Sequence, residues 1–209
     1  MTEAAKPAGD LGWFSRHAVQ LKSVFRVVFG AIWGIDGALK FNPQVVSNFP
    51  TMVQNAAQGQ PSWLAPWFNF WSSQASANAA FFVYLVGALE LALAFALIAG
   101  FLRKSAYVGG CLLSLFIWAV PEGFGGAYGP SSTDIGTGVI YAMTFLMLLV
   151  INAAYGASAW SLDALIERRW PWWSKFAEAQ GAYRKTATSP VAKTGSGEPT
   201  PSSSEVSEG

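Results

Sequence analysis

Four ionisable residues fall inside stretches apolar enough to be membrane helices: Arg26, Asp36 and Lys40 in the first, Glu90 in the second. Asp36 and Lys40 stand four residues apart, the spacing at which an acid and a base pair on one helix face. A charge at mid-bilayer costs on the order of 3 kcal/mol on insertion scales, so such groups turn towards protein or trapped water rather than lipid. At about 1.5 Å per residue, Asp36 lies roughly 21 Å above Lys22 and Glu90 roughly 20 Å above Arg103. With both basic residues at one membrane face, the two carboxylates sit at one level. Two carboxylates held together in low dielectric resist being ionised at once, and with Lys40 and Arg26 near them they can take up and release a proton. Reduction of a quinone to a quinol needs that kind of exchange, because it consumes two protons. Asp36, Glu90, Lys40 and Arg26 are therefore the candidate catalytic group. A second reading stays open: Arg26 and Lys40 snorkel to opposite surfaces, or an Arg26–Glu90 bridge only ties two helices together.

Other residues supply candidate contacts to a bound ring. Arg26, Gly30, Trp33, Asp36, Gly37 and Lys40 share a sector of roughly 120° on a helical wheel. Trp33 thus points the same way as the charges, while Gly30, Gly34 and Gly37 form a small-residue stripe suited to close helix packing. Tyr141 shares a face with Thr137 and Thr144 on a later apolar stretch and can bond a quinone carbonyl; the threonines more simply bond their own backbone. Glu122, just past Pro121 in a glycine-rich loop, joins Trp33 and Tyr141 as a candidate binding residue. Asp134 reads as the N-cap of the helix that follows. The chain has one cysteine, Cys111, and one histidine, His17. That excludes an internal disulfide, a four-thiolate metal site and a bis-histidine haem within the chain. No metal and no covalently held cofactor is expected, and electrons would come from a partner or from the lipid phase.

The elements that carry these residues follow from composition. Of 209 residues, 52% are hydrophobic and 12% charged, against roughly 25% charged in ordinary soluble domains. Mean hydropathy is +0.32 although both ends are polar. The net charge of +1 carries no sign of a nucleic-acid partner. The pattern predicts an all-α integral membrane protein, a four-helix bundle with spans at about 22–41, 79–101, 105–120 and 135–155. Residues 1–21 form a cytoplasmic segment without the h-region of a cleavable signal peptide. The connection 42–78 lacks any Asp, Glu, Lys or Arg up to Ala77. Within it Trp63, Trp67 and Trp71 recur every four residues, which predicts a short interfacial helix. The second outer loop is 121–134. Residues 156–184 read as a cytoplasmic interfacial segment, with Leu162, Leu165 and Ile166 on its apolar side, Glu167, Arg168 and Arg169 opposite, and Trp170, Trp172 and Trp173 at the headgroups. Residues 185–209 are too polar to order. Lys and Arg occupy the N-terminal segment, the 103–104 turn and the C-terminal segment but neither outer loop, so both termini are expected in the cytoplasm of a cell whose inner (plasma) membrane holds the chain.

Several of these residues together are similar to a known family. The run Arg26, Gly30, Trp33, Asp36, Gly37, Lys40, Phe41, then Gly87 and Glu90, then Gly100, Phe101, Arg103 and Lys104, and finally the stretch from Pro121 through Asp134 to Gly138, resembles the DoxX/DoxD family, and most of all its DoxD-like branch. The resemblance covers about residues 20–170. It implies a four-helix membrane protein that serves as a subunit of a thiosulfate:quinone oxidoreductase, which oxidises thiosulfate to tetrathionate and passes the electrons to membrane quinone. It also implies a separate DoxA-type protein subunit as partner, with the lipid bilayer and quinone as the other partners. Two further readings remain beside it: a non-catalytic scaffold or assembly subunit of a redox complex, and a small proton-coupled transporter.

Overall fold

The computed structural model describes residues 9–129, 132, 134–156 and 160–178, and among them every regular element is helical. The first helix, α1 (Gly9–Leu39), begins well before the expected boundary at residue 22. The first connection is largely helical too. Asn42 caps α2 (Pro43–Ala56) by accepting the Gln44 N–H at 3.0 Å, with Pro43 in the first turn, where its missing N–H costs nothing. A single 3-10 turn at Ser62–Leu64 then leads into α3 (Ala65–Ala99), which bends at Asn78 (φ −135°, ψ 33°). The span expected at 79–101 is thus the second half of a longer helix, starting one residue beyond the bend. Gly100 ends α3 in the left-handed region at φ 66°, where a residue without Cβ is favoured. After α4 (Arg103–Ala119) and the glycine-rich loop come α5 (Thr137–Tyr155), α6 (Leu162–Arg169) and the short α7 (Ser174–Ala177). Residues 185–209, expected to be disordered, and the start of the N-terminal segment lie outside the described residues.

Among the described residues three stretches are long and apolar enough to cross a membrane: Arg16–Leu39, Ser62–Ala99 and Thr137–Tyr155. The expected third span, α4, has 17 residues and is not among them. It packs along α5, as α1 packs along α3, and α2 lies against α3. The main core joins the pairs through Phe29, Trp33, Ala94, Leu97, Tyr107, Phe145 and Leu148. A smaller core of Val53, Ala75 and Val120, flanked by Phe49, Trp71 and Phe116, seats α2. Outward, Val24, Val28, Ile32, Ile35 and Leu39 of α1 and Ile140, Met143, Met147 and Val150 of α5 are exposed. That apolar coat suits lipid and would be a liability in water. With lipid outside, close packing rather than water exclusion holds the helices together. Gly110, over which the Phe145 ring lies, and Gly138, backed by Trp118 and the Ser114 carbonyl, let α4 and α5 approach.

The two ends of the bundle differ in chemistry. At the basic end, Lys22 Nζ donates to the Gly156 carbonyl and Arg26 Nη2 to the Trp160 carbonyl at 3.1 Å. Arg103, expected only as a turn residue marking the cytoplasmic face, is 1% exposed there and pairs with Asp163 (2.9 Å), Glu178 (2.8 Å) and Glu167 (3.5 Å). At the other end, Gln60 Nε2 donates to the Gly123 carbonyl (2.7 Å) and Trp67 Nε1 to the Ala119 carbonyl (3.1 Å). Trp71 packs on Phe116 with ring centroids 5.0 Å apart. The Trp63, Trp67, Trp71 face therefore belongs to α3 and its lead-in, and two of its three rings cover the bundle's end instead of forming a separate interfacial helix. On α6, Leu165 is exposed, as an interfacial helix requires, while Asp163 and Glu167 are buried against Arg103, a contact not expected from the sequence.

Candidate functional site

The glycine stripe of α1 decides which residues meet. A Cβ on Gly37 would stand 2.9 Å from the Glu90 Cβ and 3.1 Å from the Gly87 carbonyl, and a Cβ on Gly87 would stand 2.8 Å from the Lys40 Cβ. Reciprocal notches thus bring α1 and α3 nearly backbone to backbone one turn from the charges. Across that contact Lys40 Nζ lies 3.0 Å from Asp36 Oδ1 and 3.5 Å from Glu90 Oε2. The expected neighbourhood of Asp36 and Glu90 exists, with Lys40 between them.

Exposure is graded through the triad. The Asp36 side chain is 45% exposed, Lys40 23% and Glu90 0%. Neither Glu90 oxygen has a hydrogen-bond partner among the described residues; the Lys40 ammonium is its counter-charge there, and the Asp36 carboxylate also lies beside it. A carboxylate this deep with one counter-charge and no hydrogen bonds is costly.

Asp36 and Lys40 open onto a cavity of about 480 Å³ between α1, α2, α3, α4 and α5, within the usual range for small-molecule sites. Trp33, Glu122 and Tyr141 line the same cavity, so every candidate contact residue named above meets Asp36 and Lys40 around one space. Its apolar walls include Val45, Phe49 and Met52 of α2 with Phe82, Val83 and Val86 of α3. Trp33 and Tyr141 pack with ring centroids 5.7 Å apart. Glu122 has a structural duty as well: its Oε2 accepts the Gly138 N–H at 2.8 Å, supplying the acceptor for the α5 N-terminus expected of Asp134. Asp134 instead holds the turn ahead of the helix, accepting from Ile135 and Gly136 at 2.6 and 3.2 Å.

Arg26 is not part of this group. Its Nη1 and Cζ lie beside Gly100, ten residues beyond Glu90 and so about 15 Å further along α3. The side chain turns towards the basic end, and neither the Arg26–Glu90 contact nor a free snorkel to the surface describes it. At 2% exposure it is buried under Trp160.

Three residues lining the cavity carry buried donors without a partner among the described residues: Trp33 Nε1, Trp71 Nε1 and Ser114 Oγ. Ser114 and Trp71 were not candidates from the sequence. Hydroxyls in apolar helices ordinarily bond the carbonyl four residues back, as Ser23 does to Val19 and Thr144 to Ile140. Ser114 does not, and only the packing around it shows this. At its wall the cavity offers the Lys40 ammonium and the Asp36 carboxylate, and the remainder is largely apolar: a place for a flat, apolar molecule with an oxygen that accepts a hydrogen bond. No family model, no curated protein and no solved structure matches the chain.

Proposed function

We propose that this chain is the quinone-binding membrane subunit of a thiosulfate:quinone oxidoreductase-like complex in the plasma membrane. The observation that carries the reading is the cavity shared by Trp33, Asp36, Lys40, Glu122 and Tyr141. A quinone carbonyl oxygen is an acceptor that the Lys40 ammonium at the wall satisfies, and the apolar walls suit its ring and the start of its tail. Two thiosulfates yield tetrathionate and two electrons; the quinone takes those electrons with two protons and leaves as quinol. Thiosulfate oxidation falls to a separate partner subunit. Asp36 and Lys40 stand at the cavity wall where protons are needed, with Glu90 behind Lys40 as the second carboxylate of the exchange.

The reading includes four spans. α4 runs from the basic end, at Arg103, to the opposite end, where Glu122 meets Gly138 at the start of α5. A helix of 17 residues covers about 26 Å, enough for most of a hydrocarbon core of about 30 Å. The concentration of Lys and Arg at that end supports both termini in the cytoplasm. The competing scaffold reading is favoured by one observation, that Lys40 ties α1 to α3 through Glu90.

Thiosulfate-dependent reduction of a short-tailed quinone in membranes with and without the chain tests the proposal. Glu90→Gln should leave the protein in the membrane and abolish that turnover, and Ser114→Leu, which fills the cavity without touching the triad, should block it too. Turnover unchanged in both, with altered stability alone in Glu90→Gln, would leave the scaffold.

A further inference from the structure

A second cavity, of about 500 Å³, opens at the basic end, away from the triad. Its walls are apolar and outward-facing: Val24, Val27 and Val28 of α1 and Ile98 near the end of α3, all exposed, with the Trp160 ring at its rim. Arg26 lies at its polar end, beside Ser23. An arginine 2% exposed is expected to have its charge answered, yet Arg26 forms no ion pair among the described residues and its Nε has no partner. Its one hydrogen bond to backbone goes to the Trp160 carbonyl, and the Tyr107 hydroxyl lies next to the guanidinium. Asp163, the carboxylate acting on it from α6, is already occupied by the Leu102 and Arg103 N–H groups, Arg103 Nε and Trp173 Nε1. Lys22, one turn earlier on α1, adds a second buried cation; its hydrogen bond goes to a carbonyl, and the carboxylate acting on it, Glu178, is paired with Arg103.

We infer that this groove holds an anionic glycerophospholipid from the leaflet at the basic end, its headgroup phosphate on Arg26 and an acyl chain along Val24, Val27, Val28 and Ile98. A phosphate accepts from a guanidinium edge in a planar, charge-assisted pair. The apolar walls select a phosphate that carries a chain over the free ion. A neutral molecule leaves the Arg26 charge unanswered, and a zwitterionic headgroup brings its own cation to it. Trp160 at the rim suits the headgroup level, where indole rings concentrate. The site depends on membrane embedding but is independent of any quinone in the first cavity.

Native mass spectrometry of the full chain released from detergent micelles tests this, with phosphatidylglycerol, phosphatidylcholine of the same chains, and inorganic phosphate as probes. Phosphatidylglycerol should be retained about tenfold more tightly than phosphatidylcholine, with no adduct from inorganic phosphate. Arg26→Gln should remove the preference. Because loss of a buried arginine can unfold the chain, Val24→Trp serves as the second variant: it narrows the groove from the lipid side, leaves Arg26 in place, and should also abolish retention. Equal retention of the two lipids, an inorganic phosphate adduct as tight as the lipid, or a preference that survives either variant in folded protein would overturn the site.

Discussion

Lys40 sits between two carboxylates of unequal exposure, and the inequality decides what its removal does. Asp36, 45% exposed, can be rescued by water; Glu90, fully buried and without hydrogen bonds, cannot. Lys40→Met should therefore destabilise the protein by about 2 kcal/mol, less than the loss from a wholly buried pair because the ammonium is partly open. Adding Glu90→Gln should recover most of that loss, since a neutral amide needs no counter-charge. Titration with a denaturing detergent, followed by tryptophan emission, measures both steps; a double variant no more stable than Lys40→Met would mean Glu90 does not depend on Lys40. At this scale the sequence was partly legible. The four-residue spacing of Asp36 and Lys40 and the shared depth of Glu90 follow from helix geometry alone. The direction of Arg26 does not, because it depends on where Gly100 ends α3 and on the Trp160 carbonyl above it. Ser114 was invisible for a related reason: a serine in an apolar helix looks self-satisfied until its neighbours show that it is not.

Among the elements, close approach of α1 and α3 is set by two of the stripe's glycines far more than by the third. A Cβ at Gly37 would meet Glu90 Cβ and the α3 backbone at 2.9–3.1 Å, whereas one at Gly34 would meet only Ala94 Cβ at 3.5 Å, an ordinary contact. Gly37→Ala should cost about 2 kcal/mol by overpacking, with the proposed quinone-linked turnover falling as Lys40 and Glu90 separate. Gly34→Ala should be neutral or slightly stabilising, because alanine is the better helix former by up to about 1 kcal/mol. The same detergent titration separates them, and equal losses at both positions would refute the notch. At the basic end, Asp163 joins α6 to the start of α4. It accepts the Leu102 and Arg103 N–H groups at 2.9 and 3.0 Å, holding Leu102 at φ 48°, which side-chain-bearing residues rarely adopt. Asp163→Asn places an amide donor among donors, and α6–α7 should detach locally. A cysteine at the buried Ser174 should then react with maleimide about tenfold faster than in the Asp163 background; an unchanged rate would show that the segment is held by other contacts. The stripe itself was legible as a packing surface. The docking of α6 was not, because nothing in its own periodicity shows that Arg103, sixty residues before Asp163, takes both Asp163 and Glu167.

For the whole molecule, the consequential question is whether α4 crosses the membrane. It falls short by length: α4 has only 17 residues, with Arg103 and Lys104 in its first turn. Yet its two ends are tied to opposite ends of the bundle, Arg103 to Asp163 and the loop after Ala119 to α5 through Glu122 and Gly138. The alternatives differ in a single sign. With four spans, Gln58 in the first outer connection and Lys175 beyond α6 face opposite sides of the membrane. With three spans and α4 returning to the side it left, α5 carries the C-terminal segment across, and the two positions face the same side. Both side chains are exposed, so cysteines there report without disturbing the core. In a Cys111→Ser background, an impermeant maleimide added to intact cells should label the cysteine at 58 and spare the one at 175, with the pattern inverted in inside-out vesicles. Labelling of both from one side would remove α4 from the membrane. It would also place the carboxylate cluster around Arg103 on the same side as the mouth of the Asp36 cavity, an arrangement that the antiparallel packing of α4 on α5 does not allow.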